Sequence, residues 1–320
     1  MSEILGLVLP FFGMIFAGFV AARVTRQPVE ALGWMNVFIV YVALPALFFQ
    51  LLSRTPFEQL TEWRYILGSL VATYTIFVVM FLGARLVQGD GIAVATVKAF
   101  GACYGNIGYM GPGIALLVLG EEAAVPVALI VCIENAVHFC VAPTMMALAG
   151  DDRRPPLQLA RDVATRIATH PFIIASVLGV AAAYFSIRPP VAFERLVEYF
   201  ARAAAPCALF AMGVTLALRP IRRVPTEIAP IVGLKLIAHP LLCYVVLSWI
   251  GNYSASWMFS ALLLAALPTA TNVFVIAQQY HVWVERASAT ILITTCASVV
   301  SLFGLLFLIT HGVLPHDLFP

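Results

Sequence analysis

Hydrophobic residues in this chain come in long blocks rather than in strict alternation. Apolar runs of about 20 residues recur from end to end, each long enough to cross the hydrocarbon core of a bilayer. Ten spans are predicted, at 4–22, 32–52, 65–87, 92–119, 123–149, 170–187, 196–218, 228–250, 257–280 and 284–310. Most of the connections are short. The longest polar one, 150–166 (GDDRRPPLQLARDVATR), holds no sustained apolar face and is expected to be a plain linker. It divides the chain into 1–150, 151–166 and 167–320, with five spans on either side. No segment is long enough for a soluble enzyme domain. The N-terminus lacks a basic region ahead of its first apolar run, so 4–22 is expected to be retained as a span.

Composition agrees with the pattern. The chain is 62% hydrophobic and 11% charged, against about 25% charged in soluble domains, and its mean hydropathy is +0.97. These features predict an all-α polytopic membrane protein in contact with lipid. A net charge of +2 gives no basis for a nucleic-acid partner. The six cysteines (Cys103, Cys132, Cys140, Cys207, Cys243, Cys296) fall in apolar runs without C-x-x-C spacing and read as buried, inert thiols. No His/Cys cluster has metal-ligand spacing, so neither a metal nor a resident cofactor is expected. Trp34, Trp63, Trp249, Trp257 and Trp283 lie near span ends, as interfacial aromatics do.

Basic residues set the orientation. Odd-numbered loops hold eleven arginines, among them Arg23, Arg85, Arg153, Arg154, Arg219, Arg222, Arg223 and Arg286, whereas the even-numbered side holds five. The linker is therefore expected in the cytoplasm and both termini outside, in a bacterial inner membrane. An odd number of spans per half gives the halves opposite orientations.

Two stretches break the apolar pattern. FGACYGNIGYMGPGI, at 100–114, carries five glycines, a proline and an asparagine, and ALPTATNVF in the middle of the ninth span carries Pro268 and Asn272. Glycine costs about 1 kcal/mol in a helix interior and proline roughly 3. Within a membrane, irregular backbone survives only where protein or a watery cavity surrounds it. The fourth span is predicted to break at 106–112. Other marks recur between the halves: Pro10 and Pro171, Gly18 and Gly179, and Pro45 and Pro206 share an offset of 161, and Pro112 and Pro268 an offset of 156. A five-plus-five inverted repeat with one broken helix in each half follows, an arrangement that places substrate between the breaks. The competing explanation, that glycines merely ease helix packing, does not account for Asn and Pro in both halves.

The second-span FIVYVALPALFF, the fourth-span GNIGYMGPGIAL, the eighth-span LKLIAHPLL and the ninth-span LPTATNVFVIA together resemble the auxin efflux carrier family, which includes plant PIN-FORMED proteins and bacterial malate and malonate permeases. The likeness covers essentially the whole chain. It implies a fold like those of sodium/proton antiporters and bile-acid symporters: a scaffold of spans 1, 2, 6 and 7, and a transport domain of spans 3–5 and 8–10. In that fold spans 4 and 9 cross at their breaks. It further implies elevator-like movement, a homodimer and a small organic anion, a mono- or dicarboxylate, as substrate. Carried onto this chain, the substrate contacts are expected at Asn106, Gly108, Tyr109, Pro112, Pro268, Thr271 and Asn272. The plant carriers have a long cytoplasmic loop where this chain has 17 residues, so their phosphorylation control and auxin specificity do not transfer.

Ionisable residues within spans mark function or pairing. Glu134 and His138 share a face of the fifth span at i, i+4. They suit a proton-linked pair, a sodium ion held by Glu134 with backbone carbonyls, or a structural carboxylate. H+ and Na+ are both open as coupling ions. Lys235, with His239-Pro240 one turn later, could face a substrate carboxylate, pair with Glu134 or neutralise helix C-terminal ends. Lys98 is expected to snorkel to the interface. No G-x-S-x-G or H-E-x-x-H motif supports an intramembrane enzyme. Short loops leave little room for a receptor's output, and a channel is the remaining alternative.

Overall fold

The computed structural model describes residues 2–57, 61–150, 155–218 and 227–319. These residues are overwhelmingly helical, with no strand and one isolated β-bridge. In chain order the helices are α1 (Ser2–Thr25), α2 (Gly33–Phe38), α3 (Leu44–Ser53), α4 (Trp63–Leu82), α5 (Ile92–Cys103), α6 (Gly111–Leu119), α7 (Ala124–Leu148) and α8 (Pro156–Ala168). They continue as α9 (Pro171–Tyr184), α10 (Val191–Leu218), α11 (Ile228–Gly233), α12 (His239–Ile250), α13 (Ala255–Ala266), α14 (Thr271–Gln279) and α15 (Val284–Thr310). Wider π-helical turns join α2 to α3 at Ile39–Ala43, extend α4 at Gly83–Val87, and join α11 to α12 at Leu234–Ala238.

Six of these stretches are long and apolar enough to cross a bilayer: Gly33–Ser53, Trp63–Val87, Glu121–Leu148, Val191–Leu218, Ile228–Ile250 and Val284–Thr310. The protein is an integral membrane protein. Four shorter apolar helices, Phe12–Thr25, Ile92–Cys103, Ile173–Tyr184 and Ala255–Ala266, accompany them. The fourth and ninth predicted spans are each two short helices separated by a break, α5/α6 and α13/α14.

Within the stretch read as a linker, 156–168 forms α8. Its residues repeat at helical rather than linear spacing, and Pro156 suits a first helical turn, where a missing N–H costs nothing. Cys296 is exposed, unlike Cys103 and Cys243, because α15 presents it outward. Arg153, Arg154, Arg219, Arg222 and Arg223, which carry much of the charge bias, lie outside the described residues.

The contacts divide the chain into two compact units, 1–63 with 108–132 and 168–220, and 64–107 with 133–167 and 221–320. In the first, α1 packs along α10, and α3 packs on α9 and α10. Bare backbone permits that α1–α10 approach: a Cβ on Gly213 would collide with the Ile15 carbonyl, and one on Gly18 with the Phe210 carbonyl. Without a hydrophobic drive between helices in lipid, such small-residue contacts hold spans together. In the second unit, α5 and α13 are enclosed on every side, with 95–103 and 258–266 all buried. A helix apolar all round belongs in a core, and Phe77, Phe100, Tyr104, Ile231 and Val273 pack that core.

Candidate functional site

The chemistry-bearing residues of the second unit gather where α5 and α13 end. Residues 104–106 and 267–270 run antiparallel as short extended segments. Asn106 N–H donates to the Pro268 carbonyl at 2.8 Å, and Ala270 N–H donates to the Tyr104 carbonyl at 2.9 Å. Each break thus satisfies backbone groups the other helix has freed, as a buried non-helical segment requires. The Thr269 hydroxyl donates to the Gly101 carbonyl at 2.7 Å, and Thr269 N–H to Thr294 Oγ1 at 3.2 Å. Gly105 sits at the bridge with Thr269, where a Cβ would come within 3.1 Å of the Leu264 carbonyl oxygen.

Proline positions these ends. Pro268 lies inside the break, and Thr271 and Asn272 open α14. Pro112 does not lie in the fourth-span break: residues 104–110 are non-helical and α6 resumes at Gly111, with proline in its first turn. Proline is pre-shaped for that position, so it starts the second half-helix. Gly108, Tyr109 and Pro112 fall in the first unit, where Gly113 on the same helix packs against Ala205.

Two side-chain networks flank the paired breaks. In one, Asn272 Nδ2 donates to Tyr104 Oη at 2.7 Å, and Tyr104 donates to Asn135 Oδ1 at 2.5 Å. The His138 ring lies 4.0 Å from that of Tyr104, its Nδ1 2.7 Å from Tyr74 Oη. Its Nε2 is buried without a hydrogen-bond partner. In the other, Ser69 and Thr73 hydroxyls donate to Glu134 Oε1 at 2.6 and 3.0 Å. Thr73 Oγ1 also lies 3.0 Å from His239 Nε2, and His239 Nδ1 3.0 Å from Lys235 Nζ. Lys235, on the π-helical turn, donates to the Ala265 carbonyl at 2.6 Å, placing a cation at the C-terminal end of α13 where the helix dipole favours one. Glu134 and His138 share α7 yet take separate partners, and Glu134 reaches Lys235 only through Thr73 and His239.

Lys98 does not snorkel. It is 1% exposed and pairs with Asp90 at 2.6 Å and Glu227 at 2.7 Å, with Gln88 Oε1 at 2.8 Å. Arg286 closes the cluster at 2.7 Å from Glu227. Two carboxylates brought in from the ends of neighbouring elements remove any need for the ammonium to reach water. Burial pushes the pKa of the Glu227 carboxyl up, but Lys98 and Arg286 outweigh it and hold the group below its usual range.

Ser69, Thr73, Tyr74 and Tyr104 were not singled out by sequence. Hydroxyls on an apolar helix resemble ordinary helix residues until a partner distant in the chain faces them. The i, i+4 pair Lys235/His239 was the one visible cue.

A membrane transport protein family model matches residues 3–306. A Rhizobium meliloti (strain 1021) protein described as "Putative malonate transporter" is 60% identical over the full length of both chains. The Escherichia coli (strain K12) "Uncharacterized transporter YfdV" is 25% identical across 93% of this chain and 95% of its own. A Methanothermobacter thermautotrophicus "Uncharacterized transporter" is 24% identical across 92% and 95%. These relatives are transporters rather than enzymes. The chain belongs to the membrane transport protein family, the auxin-efflux-carrier-like group that its motifs resemble.

Proposed function

We propose that this protein is a secondary carrier for a small dicarboxylate of the malonate class, working by alternating access. The observation that carries the reading is the pairing of two broken helices through Asn106, Pro268, Tyr104 and Ala270, with Asn272 anchored beside them. Paired breaks bring half-helix ends and polar side chains together inside an apolar protein, which is what an anion needs to leave water. Malonate is chosen because the 60% identical relative carries that substrate in its name.

In this reading the ten spans form two inverted repeats in a bacterial inner membrane, with both termini outside. Spans 1, 2, 6 and 7 act as a dimeric scaffold, and spans 3–5 and 8–10 carry substrate by an elevator-like movement. Support for a scaffold comes from the close packing of α1, α3, α9 and α10 in one unit. The substrate contacts are Asn106, Gly108, Tyr109, Pro112, Pro268, Thr271 and Asn272. His138, whose Nε2 is a buried polar atom without a partner, is available to the ligand. Glu134 and Lys235 govern charge and coupling.

Uptake into proteoliposomes across a panel of carboxylates, auxin-like aromatics and amino acids, with and without sodium and pH gradients, tests the substrate class. Asn106→Ala and Asn272→Ala should each abolish malonate uptake while the purified protein stays monodisperse. Full activity in both variants would remove the site from the paired breaks.

A further inference from the structure

A directed row of hydrogen bonds runs through the second unit from a buried lysine to a buried carboxylate. Lys235, His239, Thr73 and Glu134 are between 0% and 5% exposed, and successive members lie 3.0 Å apart. Donor accounting fixes the direction. Thr73 has a single hydroxyl hydrogen and gives it to Glu134, so its oxygen accepts from His239 Nε2–H. A neutral imidazole carries hydrogen on one nitrogen only, which leaves Nδ1 to accept from the Lys235 ammonium. Ser69 donates to the same Glu134 oxygen at 2.6 Å and holds the carboxylate in place.

We propose that Lys235, His239, Thr73 and Glu134 form a proton wire that couples proton movement to anion transport; this rests on the carrier reading above. Three protons move together. An Nζ–H bond of Lys235 breaks as an Nδ1–H bond forms on His239. The Nε2–H bond of His239 breaks as a new O–H forms on Thr73, and the original Thr73 O–H breaks as an O–H forms on Glu134. Ammonium and carboxylate become amine and carboxylic acid, histidine changes tautomer, and no charge is created. The wire ends at the paired breaks, since Lys235 Nζ lies 3.3 Å from where a Cβ on Gly105 would sit. An anion bound there holds Lys235 as the ammonium. Glu134 is then neutral only if the protein takes up one further proton, which travels with the anion. When the anion leaves, the internal charges cancel along the wire and the extra proton is released. The other titratable groups facing these residues are Tyr65 and Tyr74 on α4, Cys103 on α5, His138 on α7 and Cys243 on α12.

Radiolabelled malonate in proteoliposomes clamped at zero voltage tests the coupling. With one proton per anion, an inward gradient of one pH unit drives about tenfold accumulation in the wild type. Thr73→Val, equal in shape but without the hydroxyl, should show no gradient-driven accumulation. Its malonate exchange without a gradient should stay within about fivefold of wild type, the worth of one hydrogen bond. Thr73→Ser should restore accumulation, and His239→Gln should abolish it. Accumulation in Thr73→Val equal to wild type overturns the wire, as does a wild type indifferent to the gradient. A wild type that exchanges no malonate refutes the substrate instead. In that case the infrared carboxyl band lost in Glu134→Gln decides the wire. Thr73→Val must shift its titration midpoint and Thr73→Ser must not; equal midpoints in all three proteins overturn it.

Discussion

Replacing Lys98 by methionine isolates what a fully buried ammonium does in this unit. Methionine keeps most of the stem's volume and removes the charge and three N–H donors. The wild-type ammonium, 1% exposed, touches Asp90 and Glu227 at 2.6 and 2.7 Å, and both carboxylates are 21% exposed. Breaking a buried pair by removing one partner costs about 3–5 kcal/mol, because the other charge is left uncompensated. Glu227 keeps Arg286 at 2.7 Å and both acids keep some access to solvent, so the lower end, about 3 kcal/mol, is expected. At a few degrees per kcal/mol, that lowers Tm by roughly 6–10 °C. Intrinsic tryptophan fluorescence on heating, scored alongside size-exclusion monodispersity, measures it. The deficit should persist in high salt, since screening acts on exposed pairs far more than on buried ones. A variant within about a degree of wild type, or a deficit that vanishes in salt, refutes the buried hub and returns Lys98 to the interface.

Three further outcomes follow from the same contacts. Tyr104→Phe removes the hydroxyl that joins Asn272 to Asn135; freeing Asn272 should raise KM for malonate about tenfold, near the worth of one to two hydrogen bonds, and an unchanged KM separates Tyr104 from the substrate site. Gly213→Val places carbon on the Ile15 carbonyl, and should cost several °C of Tm or the folded yield; wild-type Tm would show that α1 and α10 are not in close contact. Glu227 is held below its usual range by Lys98 and Arg286 against the opposing effect of burial. Its stabilisation is complete above the ordinary carboxylate pKa of about 4.3 and is lost as pH falls through the lower folded value. Wild-type Tm should therefore fall more steeply than that of Glu227→Gln in this acid window, and parallel curves would contradict the pairing.

The membrane class, the helical content and the position of both breaks were legible in the chain because they depend on local properties. Run length decides whether a segment can span, and Asn-Gly-Pro content decides where a helix can open, whatever surrounds it. Asn106 and Pro268 were each assigned from sequence to the two crossing breaks, and they share a 2.8 Å backbone bond. Local reading has limits even there: the opening begins at residue 104, and Pro112 starts a helix instead of ending one.

Which polar side chain meets which was settled only by tertiary structure. Glu134 is visible as a rare intramembrane carboxylate, but its partners Ser69 and Thr73 stand 65 and 61 residues away, on a helix whose composition is otherwise apolar. Thr73 and His239 are 166 residues apart, and Tyr104 and Asn272 are 168. Lys98 looked like a residue near a span end until folding brought Glu227 to it. A lone charge in an apolar run must have a partner or a cavity, and that much the sequence dictates. The choice of partner depends on helix rotation and on where two breaks pair, which no single span encodes.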